Sequence, residues 1–172
     1  MNIKKIEVGL LKTNCYIIEK SDKCLVIDPG DEIDKIMKNI THKLSGILIT
    51  HHHFDHVGAL SEMIKKYNVG VYDYKTLKEG KNSIDVFDFE VIYTPGHTND
   101  SVSYYFYKEN IMFTGDFIFK KSIGRWDLGG NEIDMKESIN KVKKYKNDIK
   151  IYPGHGESTL LLFEKENNIY FK

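Results

Sequence analysis

The sequence predicts layers of β-sheet flanked by helices, a fold of the α+β class. Short segments rich in branched and aromatic residues, which favour strands, are interspersed with segments whose apolar residues recur at helical spacing. Strands and helices both occur early and late in the chain, and this order fits sheets with helices packed on them. Because we find no repeat, no low-complexity linker and no change in composition, we expect one domain over residues 1–172.

The predicted strands are short, and many of them end in turns. In chain order they are residues 3–8, 14–19, 25–30, 45–50, 69–72, 87–94, 102–107, 111–114 and 149–152. Pro29 and Gly30 give the third strand a strong turn signal. Cys15 and Cys24 lie in strand segments, so we interpret both as small packed residues and expect no disulfide.

Helical periodicity is found in segments between and after these strands. The predicted helices are residues 31–41, 57–67, 133–146 and 160–167. Asp31 is the expected N-cap of the first helix, because its carboxylate can accept a hydrogen bond from a backbone N–H at a helix start.

The charge and composition exclude several classes of protein. The 25 basic and 25 acidic residues give a formal net charge of zero, so we expect no nucleic-acid or anionic-membrane partner. No apolar stretch approaches the ~20 residues of a membrane span, and the N-terminus has no apolar run of signal-peptide length. We therefore expect a cytoplasmic protein. Arg125 is the only arginine among the basic residues, which suggests a site that needs a planar, forked donor.

Residues 51–56 form the most informative polar cluster, because four of the seven histidines fall within it. His51 and His53 are two positions apart, so in an extended segment they point the same way and can share one metal. Asp55 and His56 can reach a second metal if the chain turns into a helix there. The side chain of His52 points away from those of its neighbours. We expect it to face solvent or to contact a metal ligand without binding the metal itself.

Three further polar motifs follow predicted strands. Pro95-Gly96-His97-Thr98, Thr114-Gly115-Asp116 and Pro153-Gly154-His155-Gly156 each stand where an apolar segment ends. A single histidine in such a turn is usually a surface residue, and a single aspartate is often a turn or cap residue. Strand ends gathered along one sheet edge would instead converge on one site. The repeated pattern favours one metal centre at that edge.

Together these motifs resemble those of the metallo-β-lactamase superfamily, and they occur in family order over nearly the whole chain. The resemblance implies an αββα sandwich, with two mixed sheets, helices on the outer faces and a dinuclear metal site at the sheet edge. Residues 123–127 resemble a segment of the type II glyoxalase branch and its short relatives. Asp116 stands where a zinc β-lactamase would carry cysteine, which argues against antibiotic hydrolysis as the main role.

The resemblance also implies roles for individual residues. The implied metal ligands are His51, His53 and His97 for one ion, Asp55, His56 and His155 for the other, and Asp116 as the bridge. The implied cofactors are two divalent ions. Zinc is the expected metal, and iron and manganese are the alternatives. A hydroxide bridging the ions would attack the carbonyl of a small-molecule thioester, as in hydroxyacylglutathione hydrolysis, with Asp55 and Asp116 as catalytic carboxylates.

Three other residues are candidates around this site. Asp28 is expected to hold the second nitrogen of a ligand histidine, with an Asx-type turn as the alternative. Arg125 is either a clamp for a substrate anion or the partner of a nearby carboxylate such as Asp127. Trp126 replaces a small residue of the family and is expected beside the substrate pocket. The chain also lacks the additional helical domain that helps type II glyoxalases to hold glutathione, so its thiol carrier is left open.

Other functions compete with thioester hydrolysis. A persulfide dioxygenase would use one non-haem iron held by His51, His97 and Asp116, a set of two histidines and one carboxylate that suits this metal. A nuclease would need a basic groove or an inserted domain, and a non-catalytic metal-binding protein would hydrolyse nothing. The sequence does not determine the acyl group, the metal or the oligomeric state.

Overall fold

Two mixed β-sheets lie face to face in the computed structural model of the chain, which describes residues 1–172. The first sheet has the order β1-β2-β3-β4-β5. Its strands are β1 Asn2–Val8, β2 Thr13–Lys20, β3 Lys23–Ile27, β4 Lys43–Leu48 and β5 Val71–Tyr72. The first three strands pair antiparallel, whereas β3, β4 and β5 run parallel.

The second sheet is built from the later strands. In chain order the later strands are β6 Gly80–Ile84, β7 Phe87–Tyr93, β8 Val102–Phe106, β9 Ile111–Gly115, β10 Ile118–Phe119, β11 Ser122–Ile123, β12 Lys150–Pro153 and β13 Thr159–Leu160. Of these, β10 and β11 form a separate hairpin outside the sheet. The spatial order in the sheet is β13-β12-β9-β8-β7-β6. Strands β9 and β12 are parallel, and every other neighbouring pair is antiparallel.

Helices cover the outer faces of both sheets. They are α1 Ile33–Met37, α2 Phe54–Val57, α3 Leu60–Tyr67, α4 Glu132–Val142, α5 Leu161–Asn167 and a 3₁₀ helix Ile169–Phe171. Side chains from β2–β4 and β7–β9 pack between the sheets, α1 and α3 pack on the first sheet, and α4 and α5 pack on the second. This arrangement confirms the expected αββα sandwich of the α+β class.

Some local predictions differ from the structure. Helix α1 is much shorter than the predicted 31–41, and Asp31 is not its N-cap. Glu32 occupies that position in a left-handed conformation, and the Asp31 carboxylate accepts a hydrogen bond from the Glu32 amide instead. The predicted helix 57–67 is split into α2 and α3. Cys15 and Cys24 are buried free thiols, which confirms that neither forms a disulfide.

Backbone contacts join the two sheets at the edge where the polar motifs lie. The Val102 amide donates to the Thr50 carbonyl at 2.9 Å, and the Asn14 amide donates to the Gly154 carbonyl at 2.7 Å. The Tyr16 hydroxyl donates to the Pro153 carbonyl at 2.6 Å. Strand ends from both sheets are therefore fixed next to one another. None of the helices is long and apolar enough to cross a bilayer.

Candidate metal centre

The chain brings its histidine and aspartate motifs together at this edge. His51 and His53 follow β4, while Asp55 and His56 lie in α2. The other three residues follow strands of the second sheet: His97 after β7, Asp116 after β9 and His155 after β12. Because each side chain projects from the end of a strand or the first turn of a helix, rigid elements set its position.

One group consists of three imidazoles. Nitrogen atoms of His51, His53 and His97 all lie within 4.8 Å of one another. His97 Nε2 is 2.9 Å from His53 Nδ1, and both His51 and His97 are buried. Neutral imidazole nitrogens that converge in this way form a typical zinc-binding set.

A second group adds a carboxylate to two imidazoles. The ligating atoms of Asp55, His56 and His155 also lie within 4.8 Å of one another. Asp55 Oδ2 is 3.3 Å from His155 Nε2 and 3.6 Å from His56 Nε2. The two groups therefore differ in charge, because only this one contains a carboxylate.

Asp116 lies between the groups. One of its carboxylate oxygens is 3.3 Å from His56 Nε2. The other is 3.4 Å from His155 Nε2 and 3.7 Å from His97 Nε2. A single carboxylate thus contacts residues of both groups, which is the position that a bridging ligand would occupy.

The opposite ring nitrogens of the histidines are held by the protein. His56 Nδ1 is 2.9 Å from Asp28 Oδ2, and the Asp28 carboxylate also accepts hydrogen bonds from the backbone amide and hydroxyl of Thr50. His97 Nδ1 donates to the Arg125 carbonyl at 2.6 Å, and His155 Nδ1 donates to the Leu11 carbonyl at 3.1 Å. Such contacts fix the tautomer and leave Nε2 of each ring free for a ligand.

Hydrogen bonds also hold Asp55 and His53. The Thr13 hydroxyl donates to Asp55 Oδ2 at 2.7 Å, and His53 Nε2 is 3.1 Å from the Leu128 carbonyl. Neither Thr13 nor Leu128 stands in a motif that marks a site, so neither contact could be predicted from the sequence. Thr50 precedes the histidines in the sequence motif, but only the structure shows that its hydroxyl bonds Asp28.

Burial and charge perturb the titratable groups in opposite directions. Burial and the nearby His56 lower the pKa of His51. Burial alone would lower the pKa of His56, but Asp28 and Asp116 outweigh it and raise the pKa to about 10. Likewise, Asp116 and Asp55 outweigh burial and raise the pKa of His155 to about 9. For Asp116 itself, burial opposes ionisation, but the neighbouring imidazoles of His155 and His56 hold the pKa well below its usual range.

Three buried polar atoms at this site have no hydrogen-bond partner: His51 Nε2, His56 Nε2 and Asp116 Oδ1. An unpaired buried polar atom is costly, by about 1–3 kcal/mol. These three atoms belong to one mutually close set of donors to a metal. A divalent cation accepts electron pairs from all such atoms, so the residues present fit a metal.

Gly154 allows the carboxylate and an imidazole to approach each other. A Cβ at this position would lie 2.2 Å from Asp116 Oδ1 and 2.7 Å from His56 Cε1. The glycine of the Pro-Gly-His motif is thus needed for space as well as for the turn.

The remaining predicted residues lie around the site in different ways. His52 points away from both groups and pairs with Asp100 and with Asp73, whose Oδ2 lies 3.3 Å from its Nε2. Arg125 is exposed and makes a bidentate salt bridge with Asp127. Its Nε donates to Oδ1 at 2.7 Å, and its Nη2 donates to Oδ2 at 2.6 Å. This matches the second of its two expected roles.

Trp126 is not placed beside the metal groups, contrary to expectation. Its ring packs near Tyr170, with centroids 6.4 Å apart, and lines a separate cavity between α4 and the 3₁₀ helix. The carbonyl of the preceding residue, Arg125, holds His97, whereas the Trp126 side chain packs against the hydrophobic cluster of the second sheet.

A cavity of about 750 Å³ opens over the two groups. Five of the candidate ligands line it, together with Arg125 and four large apolar side chains at its rim. The volume is that of a typical small-molecule site.

An αββα sandwich with histidine and aspartate clusters at the sheet edge defines a class of metal-dependent hydrolases. The family model of the metallo-beta-lactamase superfamily matches residues 8–83 and 73–155. The chain belongs to the metallo-beta-lactamase superfamily. It is accordingly a metallo-hydrolase by family.

Two curated relatives match nearly the full length. The probable metallo-hydrolase YqgX of Bacillus subtilis is 32% identical over 98% of this chain and 96% of its own length. The hydroxyacylglutathione hydrolase GloC of Haemophilus influenzae is 29% identical over 98% of this chain and 97% of its own.

Solved structures agree with the fold. The BLEG-1 B3 metallo-beta-lactamase superposes with a TM-score of 0.94 at 29% identity, covering 99% of both chains. TTHA1623, solved in a di-iron-bound form, has a TM-score of 0.89 at 28% identity, covering 97% of this chain and 99% of its own. The family and the clusters of donors together indicate metal binding, and the metal in the second of these neighbours is iron.

Proposed function

We propose that the protein is a thioester hydrolase that uses two divalent cations. The proposed ligands are His51, His53 and His97 for one cation and Asp55, His56 and His155 for the other, with Asp116 shared. The observation that carries this proposal is the position of Asp116, whose carboxylate lies within 3.3 to 3.7 Å of histidines from both groups. A single-metal centre would give no reason for the second group to converge there.

When bound, two such cations supply Lewis acidity that lowers the pKa of a coordinated water toward ~7 and polarises a carbonyl oxygen. The protein contributes fixed positions for the ligands. Asp28 and the Arg125 carbonyl orient two of the imidazoles, and Thr13 orients Asp55. Since these contacts exist before any substrate binds, little reorganisation is required during the reaction.

The state of the carboxylates supports a thioester rather than an amide. Asp55 and Asp116 are the acidic side chains that line the cavity, and histidine contacts lower the pKa of both despite their burial. As proposed ligands of the cations, both must be ionised and have no proton to give to a leaving group. A thiolate departs without a proton, whereas the amine released from a β-lactam needs one.

Zinc is the proposed metal, because imidazole nitrogens and carboxylate oxygens are its usual ligands. Iron remains the competing metal, and the di-iron form of TTHA1623 shows iron in that neighbour. A dioxygenase with one iron at His51, His97 and Asp116 would leave the cluster of Asp55, His56 and His155 without a role.

The test is elemental analysis of the purified protein together with a thioester assay on the same sample. We expect about two zinc ions per chain, hydrolysis of an S-lactoyl thioester, loss of that activity on chelation and its return with zinc. His53→Asn should remove activity, whereas His52→Asn is the matched control because that histidine faces away. Metal-loaded protein that hydrolyses no thioester, or one iron per chain with oxygen uptake on a persulfide, would overturn the proposal.

A further inference from the structure

The rim of the metal cavity is strongly apolar. Apart from candidate ligands, Gly124 and Arg125, the cavity is lined by Leu11, Phe54, Phe119 and Leu128. Phe54 is 75% exposed, Leu11 54% and Leu128 49%, so these side chains have not been placed there to complete a core. Large apolar side chains grouped around one opening mark a binding surface.

This apolar surface continues into a second cavity beside the first. The neighbouring cavity, of about 260 Å³, shares Leu11, Phe54 and Asp55 with the metal cavity and adds the fully exposed Leu10. A groove therefore leads from the reacting centre across the loop between β1 and β2. It has room for a chain attached to the reacting carbonyl or to the sulfur.

Neither cavity offers a free lysine or arginine side chain to an anionic substrate. Arg125 is the only lysine or arginine that lines them, and Asp127 already binds its guanidinium through two hydrogen bonds. Lys12 follows Leu11 in the chain but lines neither cavity. The additional cavity instead contains the carboxylates of Asp31 and Asp55. A thiol carrier with carboxylates of its own, such as glutathione, would find no partner for them here.

We infer that the substrate is a thioester whose acyl group and thiol both lack carboxylates, and whose apolar part lies on Leu11, Phe54 and Leu128. This inference rests on the proposed thioester hydrolysis and specifies its substrate class. Apolar contact is worth roughly 25 cal/mol per Å² buried, so a tail covering these side chains would contribute a substantial part of the binding free energy. The continuity of the groove with the reacting centre favours a substrate tail over a protein partner as its occupant.

The experiment compares three thioesters on the zinc-loaded protein. S-lactoylglutathione and S-lactoyl-N-acetylcysteamine differ in the charge of the thiol, and S-hexanoyl-N-acetylcysteamine then changes only the acyl group. We expect kcat/KM to rise by about tenfold at each step, since each removes unpaired charge or adds apolar contact.

Variants test whether the rim residues are responsible. Phe54→Ser and Leu128→Ser should each lower kcat/KM for the hexanoyl substrate by about fivefold or more, mainly through KM, with a smaller effect on the lactoyl substrate of the same thiol. Ile133→Ser and Leu160→Ser are matched controls, because these side chains are 71% and 48% exposed and line neither cavity. The controls should leave kcat/KM unchanged for all three thioesters.

The outcomes separate this inference from the proposed function. If the loaded protein prefers S-lactoylglutathione, thioester hydrolysis stands and the inference fails. If it hydrolyses none of the three, both fail. The inference is also overturned if the rim variants change only the oligomeric state in sedimentation, because the apolar surface would then bind a second copy of the chain.

Discussion

Asp28 gives the sharpest test of how the centre is held, because it contacts a candidate ligand without lining the cavity. Its carboxylate is buried and accepts three hydrogen bonds, at 2.8 Å from the Thr50 amide, at 2.6 Å from the Thr50 hydroxyl and, through Oδ2, from His56 Nδ1 at 2.9 Å. The substitution to consider is Asp28→Asn, which keeps the shape and changes only one acceptor into a donor.

The orientation of the introduced amide follows from the structure. The Thr50 amide can only donate, so the amide oxygen must face it, and the amide NH₂ then faces His56 Nδ1. His56 must accept at Nδ1 and carry its proton on Nε2, the atom that lies 3.3 Å from Asp116. That proton occupies the lone pair that a metal would need. Loss of such a supporting contact typically lowers metal affinity by 10–100-fold, or roughly 1.4–2.7 kcal/mol.

The assay is a zinc titration of metal-free protein against a competing chromophoric chelator. We expect two binding steps in the wild type and one of them weakened by at least tenfold in Asp28→Asn, with the other nearly unchanged. Glu164→Gln is the control, because Glu164 is a buried carboxylate that likewise accepts three hydrogen bonds, none of them from a candidate ligand, and does not line the cavity. Equal affinities in Asp28→Asn and wild type, or equal weakening in the control, would refute the reasoning.

Three further outcomes are expected. Asp116→Ala should remove metal and activity together, measured by elemental analysis and the thioester assay, and activity retained without metal would contradict the shared position of this carboxylate. Gly154→Ala should lower metal occupancy and destabilise the protein by about 1–3 kcal/mol in chemical unfolding, because the new Cβ would meet Asp116 and His56, and an unchanged occupancy would argue against the tight approach. Burial opposes ionisation of Glu19, but hydrogen bonds from Lys4 and others outweigh it and lower the pKa to about 2. Stability from this group is therefore present above about pH 4.5 and is lost as pH falls toward about 2, by roughly 3 kcal/mol, and Glu19→Gln should flatten that part of the stability profile.

The sequence predicted those parts of the fold that have strong local signals. Strands such as β2 and β8 are rich in branched and aromatic residues, and the structure buries both almost completely. By contrast, β6 has the polar sequence Gly80–Ile84 and lies at a sheet edge, where pairing with β7 rather than composition makes it a strand. The strands β10, β11 and β13 have two residues each and depend on their partners in the same way.

The candidate ligands were predictable because their residue types are themselves the signal. The structure brings all seven to one edge, although their role as ligands stays a proposal. The supporting contacts were not predictable, since the carbonyls of Leu11, Leu128 and Arg125 carry no side-chain signature. The position of Trp126 was also not predictable, because its packing against the second sheet is a tertiary contact that its neighbours in the sequence do not signal.

The candidate ligands come from both halves of the chain and from both layers of the sandwich. His51 and His155 reach the centre from strands that are far apart in sequence, and neither sheet alone carries a complete set. A cation held by either set would therefore favour the docked layers over separated ones, because its binding free energy would add to the free energy of folding. Such a cation would also tie the edge of one layer to the other, directly beneath the apolar rim of the cavity.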